Sequence, residues 1–280
     1  MSFSLNSLYR EVGLSKQAVA QYDVRQKIFD RKTAQLVLEA DELREDHPGC
    51  GVEKMYYTLR PDFIGRDRFI GLMMESGYRL KHKKNYRRTT IASKIYYPNL
   101  IKGMEVDRPS MVWQSDITYI PIGERHYYAV FIIDVYTKKI VGYKVSDNMR
   151  AQANMDALNM ALKENDAPLV HHSDRGAQYT YKGYISLLER NGSRISMALS
   201  AQDNAYAERV NRTIKEEYLD RWKPRTFNQL KRMTAKAVKN YNNKRLHNNN
   251  DRMSPEKFID QFSLLGPQQR KLMTIFDNEN

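Results

Sequence analysis

The sequence predicts an α/β fold, in which three antiparallel strands are followed by alternating helices and strands, with helical regions on both sides of this core. Two observations lead to this prediction. Between about residues 110 and 145, three apolar runs of strand length follow one another on short connections, as in an antiparallel meander. From about residue 150 to 219, stretches with apolar residues at helical spacing alternate with short apolar runs. The predicted order of core elements is therefore β-β-β-α-β-α-β-α.

The individual elements follow from their apolar patterns. In the first strand, around 112–120, Trp113 and every second residue after it share one face, so Asp116 points to the other face. The second strand, 127–134, is a continuous apolar run that ends at Asp134, as expected of a strand covered on both faces. The next predictions are a strand at 140–145, a helix at about 150–164, a strand at 169–173, a helix at 181–190 and a strand at 194–197. Asp203 or Asn204 is then predicted to cap a helix that runs to about Leu219. This order is the ribonuclease-H-like arrangement, a mixed sheet with helices on its faces.

Residues 1–95 are predicted to form a basic, helical DNA-binding region. Within it, residues 50–80 have a helix-turn-helix-like pattern, and the second helix begins with Arg66 and Arg68. An ordinary helical hairpin gives the same pattern, but the basic run that follows favours DNA contact. The cations of that run are Lys81, Lys83, Lys84, Arg87 and Arg88. We predict that these cations, together with Arg66 and Arg68, contact DNA.

The rest of the chain divides by composition into three parts. Residues 96–109 are predicted to be a linker, residues 110–220 to be the α/β core, and residues 221–280 to be a basic helical C-terminal region. The chain has 280 residues, which suits two small domains or one core domain with appended regions.

The charge balance indicates a polyanionic partner. The chain carries 46 Lys and Arg against 33 Asp and Glu, a formal net charge of +13. Nucleic acid is the commonest partner of such a protein, although a soluble basic protein without that partner has the same balance. Cys50 is the single cysteine, which excludes an internal disulfide and favours a reducing, intracellular setting. Neither a signal peptide nor a membrane span is expected, so a cytoplasmic location is predicted.

Three carboxylates occupy positions that the predicted fold would bring together. Asp116 lies within the first strand, Asp174 closes the fourth strand, and Glu208 lies in the first turns of the last core helix. Buried carboxylates are costly unless they are paired or bind metal. Three converging carboxylates would hold two divalent cations and support in-line attack at a phosphodiester. Each alone could be an ordinary edge, turn or surface residue, but all three at these positions favour a catalytic site.

Polar and basic residues follow Glu208 on its own helix face. Asn211, Arg212 and Lys215 lie three, four and seven residues after it. An amide and two cations beside a metal-binding carboxylate would suit a DNA end, although a solvated basic helix face has the same pattern. We therefore predict these three residues to be DNA contacts.

Several motifs now resemble one family, the transposases of the bacterial insertion-sequence family usually numbered three, specifically the product of the second reading frame (OrfB). Its core is similar to the catalytic domain of retroviral integrases. The resemblance covers about residues 45–260. The motifs that carry it are Trp113-Gln114-Ser115-Asp116-Ile117-Thr118-Tyr119, Asp134-Val135-Tyr136-Thr137-Lys138-Lys139-Ile140-Val141-Gly142, His172-Ser173-Asp174-Arg175-Gly176-Ala177-Gln178-Tyr179, Asp203-Asn204-Ala205-Tyr206-Ala207-Glu208 and Tyr241-Asn242-Asn243-Lys244-Arg245-Leu246-His247.

The resemblance implies an activity, cofactors and partners. The acidic triad of the family falls on Asp116, Asp174 and Glu208. The family implies Mg²⁺ or Mn²⁺, cleavage that exposes a 3′ hydroxyl, and attack of that hydroxyl on another phosphodiester. It further implies double-stranded DNA as partner (element ends and target), a homo-oligomer in the DNA complex, a possible upstream reading-frame product and a location at the bacterial nucleoid. Two alternatives stay open: a nuclease with the same fold, and a domesticated, non-catalytic DNA-binding protein.

Overall fold

A computed structural model describes residues 5–80 and 97–275 of the chain. The described residues form two compact units, one containing residues 5–46 and 50–80 and the other containing residues 47–49 and 97–275. The domain boundaries inferred from the sequence stay predictions. Five of the predicted DNA contacts lie outside the described residues, namely Lys81, Lys83, Lys84, Arg87 and Arg88.

The first unit consists of helices around a small apolar core. These helices are α1 (Leu5–Glu11), α2 (Lys16–Asp46), α3 (Val52–Leu59) and α4 (Arg66–Glu75). The hairpin formed by α3 and α4 packs on the C-terminal part of α2 through residues such as Leu36, Met55 and Phe69. The helix pair predicted between residues 50 and 80 is therefore present. Gly77 follows the end of α4 and has a φ of +88°. Glycine adopts this left-handed conformation without strain, which is why it is common directly after a helix.

The second unit is built on a mixed sheet. Its strands are β1 (Glu105–Val106), β2 (Val112–Ile122), β3 (Arg125–Asp134), β4 (Ile140–Ser146), β5 (Val170–Ser173), β6 (Arg194–Met197) and β7 (Met273–Thr274). Within the described part of the chain, the main sheet has five strands in the order β4-β3-β2-β5-β6. Strands β2, β3 and β4 are antiparallel neighbours, whereas β5 runs parallel to β2, and β6 parallel to β5. This topology is ribonuclease-H-like and confirms the predicted fold class.

Helices cover both faces of this sheet. They are α5 (Ala151–Glu164), α6 (Lys182–Arg190), α7 (Ala205–Thr213), α8 (Asp220–Trp222), α9 (Phe227–Asn243) and α10 (Pro255–Leu264). Helices α5 and α6 share one apolar core with Trp113, and helices α7 and α9 share another with Phe131. Consequently α7 and α9 lie on the same side of the sheet. Among the helices that the structure describes, none is long and apolar enough to cross a membrane.

Two local features differ from the sequence prediction. The last core helix is not α-helical to Leu219, because α7 ends at Thr213 and continues as a π-helix over Ile214–Leu219. The C-terminal region is not wholly helical, because β7 pairs with β1 in a small antiparallel sheet. A strand of two residues is too short to show an alternation of apolar and polar residues. A π-helix differs from an α-helix only in that each backbone hydrogen bond spans one more residue. Neither feature has a sequence pattern of its own.

The edge strand β4 is covered at one end by a side chain of α9. The Asn242 amide nitrogen donates to the carbonyl oxygen of Ile140 at 2.9 Å, and its amide oxygen accepts from the Ile140 N–H at 2.9 Å. Both atoms of the amide are therefore paired with the backbone of one strand residue. Asn242 itself is buried.

Candidate active site

Strand β2 presents Asp116 to the side of the sheet on which α7 lies. Residues of the opposite parity, Trp113 and Ile117, pack with α5 and α6, whereas Ile120 packs with α7 and α9. Because side chains alternate along a strand, Asp116 shares the face of Ile120. The orientation predicted from the period of two is thus confirmed.

Asp174 follows strand β5 and comes next to Asp116 through the strand register. The parallel pairing places Ser115 of β2 opposite Ser173 of β5, so the next residue on each strand is an aspartate. The carboxylate of Asp174 accepts a hydrogen bond from the Gly176 N–H at 3.0 Å. This contact fixes the carboxylate at the carboxyl end of a parallel strand, the position where α/β sheets form their sites.

Glu208 lies in the first turn of α7 and completes the group. The side chain is half-buried, and burial raises the pKa of the Glu208 carboxyl while Arg212 lowers it. Its charge reaches Asp116, whose pKa it helps to raise. The structure therefore places the three carboxylates that the sequence singled out on neighbouring elements, where the charges of Asp174 and Glu208 act on Asp116.

The electrostatics of the group show uncompensated negative charge. Burial is the largest cause that raises the pKa of Asp116 to about 7, and the charges of Asp174 and Glu208 contribute to the same rise. Hydrogen bonds from the Ile117 N–H and the Asn211 side chain oppose this shift. Burial also raises the pKa of Asp174. Buried carboxylates that repel one another in this way are the usual mark of a functional site.

The donor set suits a divalent cation, although its side chains are not drawn together. In residues 5–80 and 97–275, no group of three or more His, Cys, Asp or Glu side chains is close enough to coordinate one ion. Hard cations such as Mg²⁺ take carboxylate oxygens and usually share them with substrate phosphate, so a complete protein cage is not required. The residues present therefore fit such a metal.

The amino end of α7 is held by strand β2. The side-chain oxygen of Gln114 accepts hydrogen bonds from the backbone N–H of Tyr206 at 3.1 Å and of Ala207 at 3.2 Å. The side-chain nitrogen of Gln114 donates to the carbonyl oxygen of Asp203 at 3.2 Å. The first N–H groups of a helix have no partner within the helix, so Gln114 supplies the cap from another element. Since Gln114 is fully buried and lies two residues before Asp116, it ties the helix of Glu208 to the strand of Asp116.

This arrangement corrects the predicted cap. Asp203 accepts from the N–H groups of Leu199 and Ser200, both at 2.8 Å, and so closes the preceding turn. Asn204 donates through its side chain to the carbonyl oxygen of Ser115 at 3.0 Å. Neither side chain caps α7. The cap comes from a residue distant in sequence, which no local pattern reveals.

We expect Gln114→Leu to lower the free energy of unfolding by about 2 kcal/mol, because it removes a cap and leaves buried N–H groups without a partner. Denaturant titration followed by circular dichroism measures this loss. Gln152→Leu, the same change at an exposed position of α5, is the control and should cost less than about 0.5 kcal/mol. Equal losses in the two variants would show that Gln114 does not act as the cap.

The predicted DNA contacts near Glu208 differ in exposure. Arg212 is exposed and Lys215 is half-buried, so both can approach a ligand at the surface. Asn211 is buried and donates from its side-chain nitrogen to the Asp116 carboxylate at 2.8 Å. In this structure the amide holds a carboxylate of the group, and a contact of Asn211 with DNA stays a prediction.

The other predicted contacts lie in the first unit. Arg66 and Arg68 are both exposed on the first turn of α4. Arg66 pairs with the neighbouring Asp67 at 2.8 Å, and the Arg68 guanidinium lies 4.5 Å from the centre of the Phe29 ring. Their contact with DNA stays a prediction.

Buried polar residues on and next to β2, β5 and β6 pair with one another. The hydroxyl groups of Tyr179 and Ser115 lie 3.0 Å apart in the core. His172 is fully buried, and its Nδ1 lies 2.8 Å from the Ser196 hydroxyl. Burial lowers the pKa of His172 to about 4, so this ring is neutral near pH 7. These four side chains are therefore part of the core.

Comparison with known proteins places the chain in a family. Two models of the integrase core domain match residues 106–202 and 194–255. The transposase for insertion sequence element IS904 of Lactococcus lactis is 35% identical over 201 residues, which is 70% of this chain and 78% of that protein. The chain belongs to the insertion-sequence transposases with an integrase core domain. This transposase is also 32% identical to the transposase InsF for insertion sequence IS3fB of Escherichia coli, over 165 residues and 55% of each protein.

A solved structure is similar to this transposase over the core. The catalytic core domain of HTLV-2 integrase, in a trimeric form in complex with magnesium, aligns with a TM-score of 0.46 and 16% identity. The alignment covers 57% of the transposase and 98% of that domain. The family membership confirms the resemblance drawn from the motifs and makes the protein a DNA transposase, an enzyme that cleaves DNA and transfers strands.

Proposed function

We propose that Asp116, Asp174 and Glu208 are the catalytic residues of this transposase. At this site the enzyme would cut DNA at the ends of an insertion sequence and transfer the 3′ hydroxyl end to another phosphodiester. The observation that supports the proposal is that carboxylates on β2, directly after β5 and on α7 act on one another, since the charges of Asp174 and Glu208 help to raise the pKa of Asp116. Repulsion of this kind is a cost to folding that a catalytic role explains.

Two divalent cations, Mg²⁺ or Mn²⁺, held by these carboxylates would supply the Lewis acidity that activates the attacking hydroxyl and stabilises the leaving oxygen. Two properties of the site suit these cations, namely its carboxylate oxygens and its unbalanced negative charge. Oxygen ligands and a surplus of negative charge are what hard cations require.

The protein itself holds the carboxylates in place. Asn211 restrains Asp116, the Gly176 N–H restrains Asp174, and Gln114 fixes the helix of Glu208. Such support keeps the ligand oxygens oriented before DNA binds. Arg212, exposed on the helix of Glu208, offers a positive charge to a phosphate at the site.

The partners follow from the same proposal. The substrates would be the two element ends and a target duplex, and a homo-oligomer would bridge the ends at the bacterial nucleoid. Since the main end-recognition domain of such systems can lie in an upstream reading frame, its product is a further proposed partner.

The test is strand cleavage and joining on a labelled duplex that carries the element end, with Mg²⁺. We expect nicked and joined products from the native protein and none from Glu208→Gln, because an amide is a poor ligand for a hard cation. Glu189→Gln is the matched control, since Glu189 is exposed on α6, on the other side of the sheet. It should give native yields.

The possible outcomes separate the alternatives. Joined products from Glu208→Gln would refute the catalytic assignment. Nicking without joining by the native protein would support a nuclease. If all variants bind the duplex but are inactive, the assay is repeated with the upstream reading-frame product, and inactivity in its presence would support a non-catalytic DNA-binding protein.

A further inference from the structure

Helix α9 carries a cluster of basic residues, and none of them is among the predicted DNA contacts. Its basic residues are Lys231, Arg232, Lys236 and Lys239, and all four are exposed. No Asp or Glu occurs anywhere between Asp220 and Asp251 in the sequence. We call these four residues the α9 basic face.

The surface helices α5 and α6 do not share the purely positive charge of this face. Helix α5 carries Asp156 and Glu164 beside Lys163, and α6 carries Glu189 beside Lys182 and Arg190. The helices on that side of the sheet therefore mix both signs. Helix α9, on the side of the sheet that also bears α7, has four cations and no anion.

The spacing of the cations suits a row of phosphates. Arg232, Lys236 and Lys239 stand at positions i, i+4 and i+7, on one side of the helix over a rise of about 10 Å. The distance between consecutive phosphates of a DNA strand is of the same order as the distances between the cations of this row. The other side of α9 packs into the core through Leu230, Ala237 and Tyr241, which fixes the direction of the basic face.

Aromatic rings hold two of the lysines. The Lys231 ammonium lies 4.4 Å from the centre of the Phe227 ring, and that ring stacks on Tyr127 at 5.0 Å. The Lys236 ammonium lies 5.2 Å from the centre of the Trp222 ring. These contacts reduce the entropy lost when the lysines bind a ligand, so the cations are arranged before binding.

We propose that the α9 basic face is a second DNA-binding surface of the transposase, distinct from the carboxylate group. It would bind the phosphate backbone of a duplex without regard to sequence, because the exposed positions of the helix offer cations and few groups able to distinguish bases. Its position on the side of Glu208 allows the duplex under reaction, or the target, to extend along the helix.

The test compares two triple variants that each remove three positive charges. One is Arg232→Gln, Lys236→Gln and Lys239→Gln on α9. The control is Lys163→Gln, Arg190→Gln and Arg194→Gln, exposed cations on the side of α5, α6 and β6. Binding to a fluorescent duplex of unrelated sequence is measured by anisotropy over a range of salt concentrations.

We expect the α9 variant to lose about tenfold or more in affinity at physiological salt. The slope of log K against log salt should become shallower by about 2–3, close to 0.9 for each lost phosphate contact. The control should keep the native slope. Equal slopes in the two variants would overturn the proposal and leave this face to a different partner.

Two further measurements keep the result interpretable. At physiological salt and subsaturating DNA, the α9 variant should cleave more slowly than the control triple variant, and the difference should shrink as the DNA concentration is raised. A difference that persists undiminished at saturating DNA would mean that the substitutions damage the site and would count against the proposal. If the triple variant unfolds, Lys239→Gln alone should still reduce the slope by about 0.9.

Discussion

Asp116→Asn should abolish strand cleavage by this transposase, with a loss of at least about a thousandfold in rate. An amide cannot replace a carboxylate as ligand to a hard cation, and bound metal is worth several kcal/mol of transition-state stabilisation. Each 1.36 kcal/mol corresponds to a factor of ten in rate. The assay is nicking of the labelled element end with Mg²⁺, and Asp166→Asn, in an exposed loop, is the control.

The same substitution should make the metal-free protein more stable. The pKa of Asp116 is raised to about 7 from an ordinary value of 3.8, so the folded protein holds this proton more tightly than the unfolded chain. The contribution of Asp116 to the free energy of unfolding is therefore most favourable at low pH, and it becomes less favourable as the pH rises from about 4 to about 7. Above pH 7 the full cost is about 2–4 kcal/mol, and asparagine removes it.

Thermal unfolding in the presence of a chelator checks this expectation. At pH 8 the melting temperature of Asp116→Asn should exceed that of the native protein by several degrees, and at pH 4 the difference should nearly vanish. The hydrogen bond from Asn211 can persist, because the new amide oxygen still accepts it. A variant that is both inactive and less stable at pH 8 would mean that Asp116 has a structural role.

Arg245→Met should destabilise the transposase by about 3–5 kcal/mol, because it leaves one member of a buried ion pair without its partner. The Arg245 guanidinium makes two hydrogen bonds to the Glu217 carboxylate, both at 2.7 Å. The arginine side chain is 9% exposed and the glutamate side chain 25% exposed. Denaturant unfolding measures the loss.

Two further variants show whether burial is the cause. The double change Glu217→Gln and Arg245→Met should cost less than Arg245→Met alone, since no charge is then left unpaired. Lys144→Met breaks the more exposed pair with Asp156, which is 2.7 Å long, and should cost less than about 1 kcal/mol. Similar losses for the two single variants would contradict this account.

The sequence was sufficient for the order of the core and for the carboxylates. Strand β3 is recognised because its central residues, 129–133, are buried on both faces and therefore all apolar, and β2 because its two faces differ. The site was found for the same reason. Asp116 and Asp174 interrupt or end apolar strands, where a charge is costly, and so they stand out from the apolar pattern around them.

Residues that act across the fold were not identifiable in this way. Gln114 caps a helix that begins about 90 residues later, and Arg245 pairs with Glu217 on a different element. Asn211 has the spacing of a surface contact, yet it turns inward to Asp116. A hydrogen bond between distant residues leaves no periodic signal, because its partner is chosen by tertiary packing and not by local propensity.

The pairing of Asn242 with Ile140 bears on how copies of this enzyme can associate. An open sheet edge is a template on which another chain can add a strand, and this is a common route to aggregation. The amide of Asn242 occupies both backbone groups of Ile140, so an incoming strand would have to displace a buried side chain there. Growth of the sheet from molecule to molecule is thus obstructed at this end of β4. Two copies that met at this point of β4 would therefore have to do so through side chains rather than through a shared backbone ladder.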